Sequence, residues 1–152
     1  MLQNNDYPRI EINRLRKFAA QSLDRSFTVS GYDVTNEQEL ILRNLRQHQS
    51  ICQTDLARHT GQDRNNLSRT LAILERKGLV QKKNSGKDRR YCEICITSKG
   101  EKVHDELWKI LEQWRAQLYS NIPVEELERF SRIAESMIDN IARMHVNSRR
   151  TV

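Results

Sequence analysis

Proline and glycine are scarce in this chain. Two prolines and five glycines in 152 residues leave few forced turns, which points toward long helices. Long apolar runs are missing too. Nothing approaches the roughly 20 residues that a membrane-crossing helix needs, and the opening MLQNNDYPRIEIN holds no apolar stretch of the signal-peptide kind. A cytoplasmic protein with no membrane partner is expected. The cysteines are few and odd in number (Cys52, Cys92 and Cys95), unlike the even framework of a disulfide-stapled secreted domain. No glycine-rich phosphate loop is present, and no nucleophile, base and orienting residue can be assembled from the spacings. An enzyme is therefore not expected, nor is a cofactor. Internal repeats and low-complexity segments are also lacking.

What the chain does have is charge. Lys and Arg number 26 against 20 Asp and Glu, a formal net charge of +6, while hydrophobic residues make up only 37%. Such a polar mixture suits helices with narrow apolar stripes, some completed by a partner subunit. A basic surplus favours a polyanionic partner, but many proteins carry one for solubility alone. Placement of the charges has to decide.

The first ten residues read as disordered up to Pro8. From Arg9 to Phe27, apolar residues at Ile12, Leu15, Ala19, Leu23 and Phe27 follow helical spacing. Thr35 with Gln38 fits a reciprocal capping box at the start of a second helix that buries Leu40, Ile41, Leu42 and Leu45 and ends near Gln47. Ser50-Ile51 reads as a short link. A short helix follows over Gln53 to His59, closed by Gly61. Asp63 then caps a longer helix carrying Leu67, Leu71 and Leu74, which Gly78 ends. Short helix, glycine-bearing turn, longer helix is the helix-turn-helix arrangement. Beyond Gly78 the apolar period changes to two: Leu79 to Lys83 and Tyr91 to Thr97 read as strands around the basic tip NSGKDRR, a wing. Two amphipathic helices complete the chain. One runs from Ser98 to Tyr119, the other from Pro123 to His145, before the basic tail NSRRTV. The expected fold is mainly α: a winged helix-turn-helix over 34–100 with a small β-hairpin wing. Dimerisation helices flank it at 1–33 and 101–147, and a tail occupies 148–152.

The helix after Gly61 carries Arg64, Asn65, Asn66, Ser68 and Arg69 near its N-terminus, with the leucines on the other side. Arg and Asn suit bidentate reading of guanine and adenine in the major groove, and recognition helices contact bases with their N-terminal residues. On an isolated helix the same residues would read as a solvated face. A turn before it and a basic hairpin after it (Lys87, Asp88, Arg89 and Arg90) favour a double-stranded DNA partner.

Four segments, VTNEQELIL, TDLARHTG, LSRTLAILERKGLV and KDRRYCEICITSKG, together resemble the MarR family of winged helix-turn-helix transcription regulators across Val34 to Gly100. The most specific pieces are LERKGLV, the Asp88-x-Arg90 of the wing, and ITSKG. The resemblance implies a homodimer whose N- and C-terminal helices interlock, binding a palindromic operator, chiefly as a repressor. It also implies a small aromatic effector bound where the DNA-binding and dimerisation parts meet. Arg14, Phe18, Phe27, Tyr32 and His104 are the residues able to approach such a pocket.

Two other readings compete. A redox-sensing regulator would use Cys52, Cys92 or Cys95. Cys92 and Cys95, however, are three apart on a strand and face opposite ways, and Cys52 reads as a substitute for a helix cap. A protein-interaction adaptor that kept the winged fold would show an eroded recognition helix, which the segment Arg64 to Arg69 does not. The four histidines (His48, His59, His104 and His145) are scattered without a His-x-x-x-His pair, and His104 with Glu101 and Asp105 reads as a solvated helix face. No metal site is expected.

Overall fold

The computed structural model describes residues 11–84 and 92–148. Six helices and three short strands follow in the order α1 (Ile12–Val29), α2 (Asn36–His48), β1 (Ser50–Cys52), α3 (Gln53–Thr60), α4 (Arg64–Arg76), β2 (Val80–Asn84), β3 (Cys92–Ile96), α5 (Ser98–Leu118) and α6 (Val124–Ser148). The chain divides into two compact units, residues 1–114 and 115–152, with the division inside α5. The expected disorder of residues 1–10 and the basic tail from Arg149 lie outside the described residues.

The first unit holds one continuous core. Phe27 of α1, Ile41, Leu42 and Leu45 of α2, Leu56 of α3, Leu67 and Leu74 of α4 and Leu107 of α5 are completely enclosed. Leu71, Leu79, Val80, Ile94 and Leu111 join them. Each such leucine contributes roughly 2–3 kcal/mol of burial, enough in sum to order five helices about a small sheet.

Local chemistry fixes where the helices begin. The Asp63 carboxylate accepts from the N–H groups of Asn65 (3.0 Å) and Asn66 (2.9 Å) at the start of α4. Thr35 Oγ1 accepts from Gln38 N at 3.3 Å at the start of α2. The reciprocal half of that capping box is replaced: Gln38 is buried and its Oε1 accepts from Lys77 Nζ at 3.3 Å. Cys52 caps α3, its Sγ lying 3.5 Å from Asp55 N. Asp24 of α1 accepts from the backbone N–H (2.6 Å) and side-chain amide (2.9 Å) of Asn36, tying α1 to the start of α2.

Ser50-Ile51, expected as a link, is part of a strand. β1 pairs with β3 (Ser50↔Cys95, Ile51↔Ile94, Cys52↔Glu93), so the wing strands belong to a three-stranded antiparallel sheet of order β1-β3-β2. Three residues with a single buried isoleucine give no period to read, and only the partner strand makes the segment extended. The expected hairpin is present, from Val80↔Ile96 to Asn84↔Cys92.

The two most specific sequence motifs lock into each other. Thr97 of ITSKG donates through Oγ1 to the Gly78 carbonyl of LERKGLV at 2.7 Å and accepts from Gly100 N at 3.0 Å. Lys99 Nζ donates to the Lys77 carbonyl at 2.7 Å. Gly100 is required by closeness: a Cβ there would lie 2.1 Å from the Leu79 carbonyl oxygen and 2.8 Å from Ile96 Cγ1. The start of α5 can approach β2 only without a side chain at this position.

In the second unit, α6 is a 25-residue amphipathic helix whose apolar residues remain open. Phe130, Ile133, Met137, Ile138, Ile141 and Met144 are all exposed within one chain. Pro123 immediately precedes it, and its carbonyl accepts from Glu126 N (3.1 Å) and Leu127 N (3.2 Å). At the other end of the chain, Ile12, Leu15 and Phe18 of α1 are exposed as well. No helix of the described residues is long and apolar enough to cross a membrane.

Candidate nucleic-acid interface

The helix-turn-helix is α3, the turn Gly61–Asp63, and α4. Gly61 adopts the left-handed conformation (φ 66°), and its N–H donates to the Ala57 carbonyl, ending α3. The Asp63 cap starts α4 two residues later. Leu56, Leu67, Leu71 and Leu74 pin the two helices to the core.

This burial selects the outward face of α4. With Leu67, Thr70, Leu71 and Leu74 turned inward, Arg64, Asn65, Ser68 and Arg69 are exposed together, and Asn66 is half-buried beside them. The Asn66 carbonyl accepts from Thr70 Oγ1 at 3.0 Å. The first turn of α4 carries no acidic residue, so the positive end of the helix dipole and two guanidiniums share one surface. The first acidic residue along α4, Glu75, pairs with Lys82 of β2 at 3.1 Å. Chemically, the face offers two guanidiniums and an amide as hydrogen-bond donors, beside the Asp63 carboxylate that caps the helix.

One contributor escaped the sequence reading. Gln53, the first residue of α3, donates through Nε2 to Ser68 Oγ, bridging the two helices at the exposed face. Fifteen residues separate the partners, so no helical or strand spacing announces the contact. Along β2, Lys82 and Lys83 are exposed and lead into the wing tip. Lys87, Asp88, Arg89 and Arg90 lie outside the described residues.

The residues considered for an effector pocket fall in separate places. The Arg14 guanidinium stacks 5.8 Å from the Phe18 ring centroid on the exposed start of α1. Phe27 is enclosed in the core, with Tyr32 half-buried against it. His104 is buried with its Nδ1 3.6 Å from the carboxylate of Glu39 on α2, and the neighbouring Asp105 pairs with Arg46 at 3.0 Å. Burial, helped by Arg46 and Arg43 and opposed by Asp105, holds the His104 imidazole below its ordinary pKa. The face of α5 expected to be solvated therefore turns His104 inward. Cys52 and Cys95 are free thiols. Cys52 Sγ donates to an Asp55 carboxylate oxygen at 3.1 Å.

Residues 34–91 match the model of the MarR family. The fold is shared over most of the chain by a Staphylococcus aureus MepR–DNA complex, at 26% identity, covering 85% of this chain and 94% of that one with a TM-score of 0.77. A MarR transcriptional regulator from Methanosarcina mazei Go1 is 22% identical, with 88% and 94% covered and a TM-score of 0.74. A mutant MarR from E. coli complexed with operator DNA is also 22% identical, with 84% and 94% covered and a TM-score of 0.72. Over residues 34–91 this chain is similar to the MarR family, and its fold matches these solved structures over more than four fifths of its length.

Proposed function

We propose that the protein is a homodimeric repressor that binds a palindromic DNA operator in the cytoplasm. The observation that carries this reading is the outward face of α4, where Arg64, Asn65, Ser68 and Arg69 stand exposed over a fully buried leucine row. The N-terminal half of α4 enters the major groove. Arg and Asn there read base edges in pairs of hydrogen bonds, while the Gln53–Ser68 bridge holds α3 and α4 in register against the backbone. By the family resemblance, Lys87, Asp88, Arg89 and Arg90 of the wing are the residues that would meet the neighbouring minor groove. Segment 34–100 is the reading module, and the helices in 1–33 and 101–147 supply the dimer contacts, with a basic tail at 148–152.

The MepR and E. coli MarR complexes with DNA support the docking mode. The open apolar residues of α1 and α6 support dimerisation, since side chains such as Phe130, Ile138 and Ile141 left in water invite a partner surface. Repression follows because a bound dimer of this size excludes polymerase without offering an activation surface. A small aromatic effector would release DNA by changing the spacing of the two reading heads. Family resemblance alone supports that part.

Selecting bound duplexes from a random pool tests the proposal. The expected consensus is an inverted repeat with half-site centres about 10 base pairs apart, bound less tightly as salt rises and counterions are released. A consensus without an inverted repeat overturns the dimeric reading. A pool with no enrichment overturns sequence-specific binding itself.

A further inference from the structure

Two of the histidines that are scattered in sequence meet in space. His48 is the last residue of α2 and His59 stands in the last turn of α3. Both are exposed, and His59 Nδ1 lies 3.1 Å from His48 Nε2, with the ring planes at 62°. The two rings share one hydrogen bond, with donor and acceptor set by the tautomer.

We propose that His48 and His59 form a two-point site for a borderline divalent transition-metal ion, with Zn2+ as its simplest occupant. Metal–nitrogen bonds of about 2.0–2.1 Å place two imidazole nitrogens about 2.9 Å apart at a right angle and about 3.35 Å apart at the tetrahedral angle. The observed 3.1 Å lies between these limits, so a cation fits between the rings with small side-chain adjustments. Proton bookkeeping is simple. The ring proton shared in the hydrogen bond moves to the remote nitrogen of the same ring, and both facing lone pairs then point at the metal.

The electrostatics agree. Both histidines stand at helix C-termini, where the dipole favours a cation. The adjacent guanidiniums that would repel one are already engaged, Arg46 with Asp105 and Arg58 with Asp55, each at 3.0 Å. Among the described residues no group of three or more His, Cys, Asp or Glu is placed around a metal ion. Water therefore completes the coordination, and the site is an exchangeable one rather than a closed structural cage. An occupied site would clamp the end of α2 to the end of α3, immediately before the Gly61 turn into α4. This inference does not depend on what α4 binds.

The test is titration of the tag-free, full-length reduced protein with Zn2+, by calorimetry and by histidine-ring nitrogen NMR. One ion per chain is expected, shifting the His48 and His59 ring resonances and raising the melting temperature, as any ligand of the folded state does. Losing even an outer partner of a metal site costs about 10–100-fold in affinity, so His48→Ala and His59→Ala should each weaken binding at least tenfold. The same substitutions should abolish the melting shift. Both positions are exposed, so the variants fold. A Cys52→Ser/Cys92→Ser protein should bind like the wild type, which separates this site from adventitious thiolate capture. Unchanged affinity in either histidine variant overturns the proposal. So does an absence of heat and ring shifts at about 0.1 mM Zn2+.

Discussion

Helices α4 and α6 have the same amphipathic grammar and opposite fates. In α4, Leu67, Leu71 and Leu74 vanish into a core that one chain completes. In α6, apolar residues from Phe130 to Met144 repeat at similar spacing and stay open. A hydrophobic stripe specifies that something will cover a helix face, and leaves unsaid what does so. The first helix is anchored by its own chain, which frees its polar side to be a reading surface. The second is unfinished in one chain, and the proposed dimer finishes it.

The sharpest way to break this contrast is to truncate one residue from each helix. Leu71→Ala should cost about 2–5 kcal/mol of unfolding free energy, because it leaves a cavity in a close-packed core. That loss should be the same at low and high protein concentration. Ile141→Ala should act instead through association, lowering stability more as the protein is diluted. Urea unfolding at two concentrations separates the two. Equal, concentration-independent losses would mean that α6 is covered by its own chain.

Gly100→Ala probes the closure of the first unit from another side. The added methyl would sit 2.1 Å from the Leu79 carbonyl oxygen, so backbone must shift, at an expected cost of about 1–3 kcal/mol. The loss should disturb the wing strands along with α5, because β2 begins where that methyl would intrude. Thermal melting with hydrogen exchange on β2 measures it, and unprotected β2 amides are the expected result.

Smaller again is the effect on the outward face of α4. Arg69→Ala should leave folding unchanged, yet reduce discrimination between operator and random DNA by about 1–3 kcal/mol, the worth of one bidentate base contact. Asn66→Ala should do less, since Asn66 is half-buried. Equal loss of affinity for all sequences would make Arg69 a phosphate contact.

Much of this was legible in advance, and for local reasons. The caps at Thr35 and Asp63, the glycine end of α3 and the leucine spacing of α4 are written within four residues of one another, as helix chemistry requires. What escaped has long sequence separation. β1 exists only because β3 lies beside it, Gln38 turns to Lys77 instead of back to its own helix start, and His48 finds His59 across two elements. Gly100 was legible as part of a motif but not as a steric necessity, which needs Leu79 in place. The outward face of α4 was legible as soon as its leucines were assigned inward. The Gln53–Ser68 bridge within the same face was not.

The smallest expected effect concerns the polar residue that α5 buries in this otherwise apolar closure. His104 is enclosed beside Glu39, with Arg46, Arg43 and Asp105 around it. Two accounts of it differ in sign. If the imidazolium were held by Glu39 as an ion pair, its folded pKa would rise, and acid would strengthen the fold. Burial first, then the two guanidiniums, act the other way, and the pKa lies below the ordinary 6.5. The unfolded chain then binds a proton in a range where the folded chain does not, so unfolding gains free energy as pH falls. Stability should be flat above about 6.5 and decline from there down to the folded pKa. His104→Gln keeps a polar side chain of similar reach without a titrating group, and should remove that part of the slope. Urea midpoints for both proteins at pH 7.5 and 5.5, compared as a difference of differences, cancel the exposed histidines that the two share. A wild type that gains stability relative to the variant on acidification would establish the Glu39 ion pair instead, and with it a charged link between α2 and α5.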